Sequence, residues 1–139
     1  MIVMKQLFSI LCLCALMLSG CGNGQVSVKG TVQFPDGKPL PRGDVQFLTP
    51  TFVGSGRIQP DGTYVIGSLK EADGLPKGTY KITVRAYEDQ GDTASMSPED
   101  VKPVKPLIDL KYSSPETSGL TCDVQGPTVH PITVEPFKK

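Results

Sequence analysis

The chain has 139 residues, with 14 Lys and Arg balancing 14 Asp and Glu, 15 Gly, 13 Pro, four Cys, one His and no Trp. A balanced charge without any basic stripe argues against a nucleic-acid partner. Dense Gly and Pro, with only five Phe and four Tyr to fill an interior, predict one turn-rich β domain with a modest core.

The chain opens with one basic residue, Lys5, and an apolar run from Leu7 to Leu18 broken only by Ser9. A membrane-spanning helix needs about 20 apolar residues, so this run is too short for a permanent span and fits a secretory signal over residues 1–20. It is apolar all round, which argues against a core helix with one buried stripe. The run ends in Leu18-Ser19-Gly20-Cys21. These four residues resemble the lipobox of bacterial lipoproteins, which implies cleavage between Gly20 and Cys21 and lipidation of the Cys21 thiol. Two or three acyl chains would then hold the chain to a bilayer, each methylene contributing about 0.8 kcal/mol. The alternative is a plain secreted protein with a chance cysteine at that position. Residues 21–25 read as the lipid-anchored tether, with Gly22-Asn23-Gly24 too small and flexible to pack. Gly22, rather than Asp, after the cysteine favours the outer membrane. The implied location is the cell envelope, with the domain facing the periplasm or the exterior.

Residues 26–139 form the predicted domain. From Val26 to Phe34 apolar and polar residues alternate, the mark of a half-buried strand, and Pro35-Asp36-Gly37 then turns the chain. A second strand is predicted over Asp44–Leu48, a third around Gly56–Gln59 and a fourth over Thr63–Gly67 beyond the turn Pro60-Asp61-Gly62. The clearest alternation is Tyr80, Ile82, Val84 and Ala86 within Thr79–Tyr87, predicted to lie at the centre of a sheet. Residues 88–106 are acidic, then Ser-rich, then Lys- and Pro-rich, and predict an exposed loop with one turn at Ser97-Pro98-Glu99-Asp100. After a turn over Ser114–Thr117, two strands close the chain, Leu120–Gln125 and His130–Glu135. About seven short strands separated by turns predict an all-β fold, a Greek-key β-sandwich.

Four elements recur in a recognisable order: Val28-Lys29-Gly30-Thr31-Val32, Asp36-Gly37-Lys38-Pro39-Leu40, Asp61-Gly62-Thr63-Tyr64, and Pro76 through Val84. Together they resemble the carboxypeptidase regulatory-like domains, which are transthyretin-like β-sandwiches. Lys111-Tyr112 and Thr117-Ser118-Gly119-Leu120 are similar to the tail of bacterial lipoproteins built on that domain. The resemblance implies a fold and an address, and no reaction.

The residues offer little chemistry. Cys12 and Cys14 fall in the signal and Cys21 in the lipobox, which leaves Cys122 without an intramolecular disulfide partner. A small apolar core role suits it better than a reactive or intermolecular thiol. A Cys122–His130 catalytic pair lacks an orienting carboxylate, although the two should lie on adjacent strands. One histidine makes no metal site. Asp61, Asp73, Glu88, Asp89 and Asp92 are the candidates for calcium, but none has ligand spacing, and turn carboxylates explain them. No cofactor, metal or catalytic residue is expected. Transthyretin-like hydrolases depend on several histidines and a C-terminal Tyr-Arg-Gly-Ser, whereas this chain ends in "VEPFKK". The expectation is a non-catalytic, monomeric envelope module that binds a protein or polysaccharide or serves a structural role, and is not an enzyme. The alternative is a transthyretin-like small-ligand carrier or hydrolase. Loop 88–106 is the candidate partner surface, with a solvated spacer as the plainer reading.

Overall fold

The computed structural model describes residues 24–91 and 95–139. The signal, Gly20, Cys21 and Asp92 lie outside the described residues. Ten short strands follow in chain order: β1 (Gln25–Val26), β2 (Val28–Gln33), β3 (Gly43–Thr49), β4 (Phe52–Ile58), β5 (Thr63–Val65), β6 (Leu75–Pro76), β7 (Gly78–Arg85), β8 (Leu120–Val124), β9 (Thr128–Val129) and β10 (Ile132–Thr133). A short 3-10 helix spans Leu110–Ser113.

The larger sheet is antiparallel throughout, in the order β4-β3-β7-β8. As its alternation predicts, β7 has neighbours on both sides, pairing Phe47 with Ile82 and Tyr80 with Cys122. In the other layer β2 is central, antiparallel to β5 and parallel to both β9 and β10, while β1 pairs with β6. The inner faces of both layers meet in one core, with Val28, Val32, Tyr64, Ile66 and Ile132 from one side against Val45, Phe47, Tyr80, Ile82 and Val124 from the other. The fold is therefore an all-β sandwich, as the strand pattern predicts.

The boundaries differ in instructive ways. Strand β4 starts four residues before the predicted Gly56, because Pro50-Thr51 makes a tight hairpin with β3. Its inward positions Gly54 and Gly56 carry no side chain, so they hide the strand period; Leu75 and Ile66 approach the space a Cβ would occupy at Gly54. The predicted strand Val26–Phe34 breaks at Ser27. The predicted His130–Glu135 strand is replaced by two fragments on either side of His130-Pro131. His130 donates its N–H to the Lys29 carbonyl, but its own carbonyl turns over Gly30 toward the core. There the Tyr64 hydroxyl donates to it at 2.6 Å. A Cβ at residue 30 would lie 2.0 Å from that oxygen, so only glycine fits.

The segment from Lys111 to Leu120 ties the C-terminal tail to the body. Gly119 ends the Ser114 turn at φ 66°, and Leu120 packs back against the core. Tyr112 is buried and its hydroxyl accepts the Glu135 N–H at 3.2 Å. Thr117 donates its hydroxyl to the Lys111 carbonyl at 2.6 Å. Asp109 and Phe137 add backbone bonds to Glu135 and Leu107, so the segment after loop 88–106 knits the C-terminal tail to the body.

Candidate functional site

Cys122 is buried in β8, facing the core opposite Tyr80. Burial pushes its thiol up, and the neighbouring Asp123 charge adds to the shift. His130 follows β9 in the other layer, so the expectation that the two lie on adjacent strands is corrected: the strand after Cys122 crosses the sandwich to join β2. The imidazole packs edge-on against Phe47, centroids 6.4 Å apart, and burial pushes its pKa down. Tyr64 is driven well above the ordinary phenol range, first by burial and then by Cys122. In each case burial favours the neutral form: thiol at Cys122, phenol at Tyr64 and imidazole at His130. The Phe47 ring also meets Tyr64 and Tyr80 at 6.3 and 6.1 Å, making it the centre of an aromatic cluster.

Three of the acidic candidates, Asp61, Asp73 and Asp89, are held by nearby donors. Asp61 accepts the Thr63 hydroxyl at 2.6 Å and the Thr63 N–H at 3.0 Å, and these bonds hold its carboxyl below the usual range. Asp89 forms an ion pair with Arg42 at 3.0 Å and accepts the Gly91 N–H; the arginine is the main cause of its lowered pKa. Asp73 is the most heavily used. Its carboxylate accepts N–H groups from Ser68, Leu69 and Lys70, with the Ser68 hydroxyl in contact as well. These bonds, led by Ser68, hold it below the usual carboxylate range. Among the described residues no three His, Cys, Asp or Glu gather as metal ligands.

The Asp73 cage was the feature sequence reasoning missed, since Asp73 read as a solvated turn residue. It shapes an open cleft of about 1060 Å3 between the edges of β4 and β5 and the loop from Gly67 to Ala72. The strands stay together at its ends, through the Gln59 N–H to Thr63 carbonyl bond and the two-way Ser55–Gly67 bridge. Arg57 and Lys70 line it together with Asp44 and Glu71, so its walls carry both signs of charge. Leu69 stands on the rim, 92% exposed. Neither Cys122 nor His130 lines it.

Loop 88–106 leaves the body and returns at one place. Tyr87 bridges to Pro106, and Glu88 donates its N–H to the Lys105 carbonyl. Asp100 donates its N–H to Ser97, the turn predicted there. A hollow of about 390 Å3 opens within it, and Met96, Val101 and Val104 are exposed around it. Among the described residues no helix is long and apolar enough to cross a membrane.

No protein-family model and no curated protein matches the chain. Among solved structures it is similar to a DUF3823 family protein from Bacteroides ovatus ATCC 8483, with 17% identity and a TM-score of 0.43. That likeness covers 81% of this chain and 45% of the other, so the chain spans less than half the length of that neighbour.

Proposed function

We propose that the chain is a lipid-anchored envelope protein whose transthyretin-like, carboxypeptidase regulatory-like sandwich acts as a non-catalytic binding or structural module. The observation that carries the reading is the passage from Leu18-Ser19-Gly20-Cys21 to a folded strand beginning at Gln25. That leaves only Gly22, Asn23 and Gly24 between the attachment point and the domain. The environments of the core support the non-catalytic part. A nucleophile is activated by a nearby base or a lowered pKa, whereas Cys122 is buried, raised and across the sandwich from a histidine made less basic by burial.

Anchoring is tested by the intact mass of the protein purified from its native membrane. The expected mass is that of a chain starting at Cys21 with a diacylglyceryl group and an acylated amino terminus. A chain starting at an unmodified residue overturns the reading. Crosslinking in intact cells, followed by identification of what is attached at loop 88–106 and at the cleft, tests the binding role.

A further inference from the structure

The strand nearest the proposed anchor meets the loop walling the cleft directly at two points, Gln25 on Ser68 and Val26 on Gly74, and pairs with the strand that follows it. Strand β1 pairs with β6, Gln25 opposite Pro76 and Val26 opposite Leu75, immediately after the loop closes. The Gln25 side chain donates its amide to the Ser68 hydroxyl at 3.1 Å, across 43 residues of sequence. Ser68 in turn lies against the Asp73 carboxylate through both its hydroxyl and its N–H. At the far end of the loop Gly74 rests on the Val26 carbonyl so closely that a Cβ there would lie 2.3 Å from the oxygen.

From this geometry we infer that β1 and the Gly67–Gly74 loop form a latch: seating of β1 against β6 holds the loop in place and so sets the cleft, and unseating β1 releases it. The loop's two ends are also pinned, by the Ser55–Gly67 bridge and by the Gly74 N–H donated to the Ile66 carbonyl at 3.2 Å, but the stretch between them has little else to hold it. Ala72 sits at φ 61°, a left-handed conformation that a β-carbon disfavours, and Leu69 has no cover. The Asp73 cage and the Gln25–Ser68 joint must offset that strain. The amide oxygen of Gln25 is buried without a hydrogen-bond partner among the described residues, so the joint rests on one side-chain bond. Coupling between two sites is reciprocal, so whatever fills the cleft and fixes the loop must also fix β1. The latch does not depend on the lipid; the lipid reading adds only that β1 is the end of the domain held at the membrane.

Amide hydrogen exchange on the full, unlipidated chain tests the latch in both directions. Gln25→Ala should speed exchange at the Ser68, Leu69 and Lys70 amides by about tenfold, and Asp73→Asn should speed exchange at Val26 and Leu75 by a similar factor. Amides of β3 and β7 should keep their wild-type protection. Ser68→Ala, which removes the shared hydroxyl and leaves the backbone donors to Asp73, should produce both effects in weaker form, and it replaces Asp73→Asn should that variant lose protection in β3 and β7. Changes confined to the loop in the Asp73 and Ser68 variants, or to β1 in the Gln25 variant, would overturn the inference. Because the protein carries no lipid in this experiment, its failure is separate from any failure of the anchoring test.

Discussion

The two layers of the sandwich are built by different means. In the β4-β3-β7-β8 sheet, long strands pair in unbroken register, and any residue that alternates correctly can hold its place. Around β2 the strands are two to six residues long, and the layer is stitched by particular groups: Gly30 under the His130 carbonyl, the Tyr64 hydroxyl that satisfies it, and the Tyr112 hydroxyl at Glu135. A regular sheet draws its order from repetition, so single positions matter through packing. An interrupted sheet draws it from individual hydrogen bonds and close approaches, so single atoms matter.

Substitutions can separate these two modes. The largest effect is expected in the regular layer, where Phe47→Ala removes the ring at the centre of the aromatic cluster and should cost about 3–5 kcal/mol in denaturant unfolding. Gly30→Ala should cost about 3 kcal/mol, because the added methyl strikes a backbone oxygen that cannot move without breaking the seam. If Gly30→Ala proves neutral, the stitched picture of the second layer fails. Tyr64→Phe keeps the ring and removes only the donor to His130, so a loss of about 1–3 kcal/mol would belong to that one hydroxyl.

His130 gives a subtler readout because it is the chain's single histidine. Its folded pKa lies below its unfolded value, so the unfolded chain takes up the proton first as pH falls. The histidine-dependent stability is therefore fully present above about pH 6.5 and declines as pH drops toward the folded value. Unfolding curves at about pH 7 and about pH 5.5 should show that decline, and His130→Gln should flatten it. At the small end, Lys111→Ala breaks the 2.7 Å pair with Glu135, but both side chains are solvent-exposed, so thermal unfolding should barely move.

The same contrast explains what could be read from the residues alone. Alternation in Thr79–Tyr87 gave β7 and its central place, and Asp61-Gly62 gave its turn. Strand β4 was half hidden because glycines occupy two inward positions, and the last strand was mislaid because a carbonyl turned by a tertiary contact leaves no mark on hydrophobic period. Placing His130 beside Cys122 followed from the short Gly126-Pro127 link, which reads as a hairpin and in fact carries the chain across to the other layer. The cleft was illegible for a similar reason. Asp73 looks like any Asp-Gly turn until its carboxylate is found to gather the N–H groups of residues three to five positions earlier.

Strand β2 also has a consequence for how the chain folds. Its parallel neighbours come from the far end of the sequence, so Val32 waits for Ile132, about 100 residues later. Closing so long a loop costs entropy before any contact rewards it, and pairings of this kind slow folding. While the chain is still emerging from a ribosome, the β4-β3-β7 sheet can form, but one side of β2 stays open. Completion of the domain is thus timed by the arrival of β9 and β10, and until then the exposed side of β2 is the surface most in need of protection from other chains.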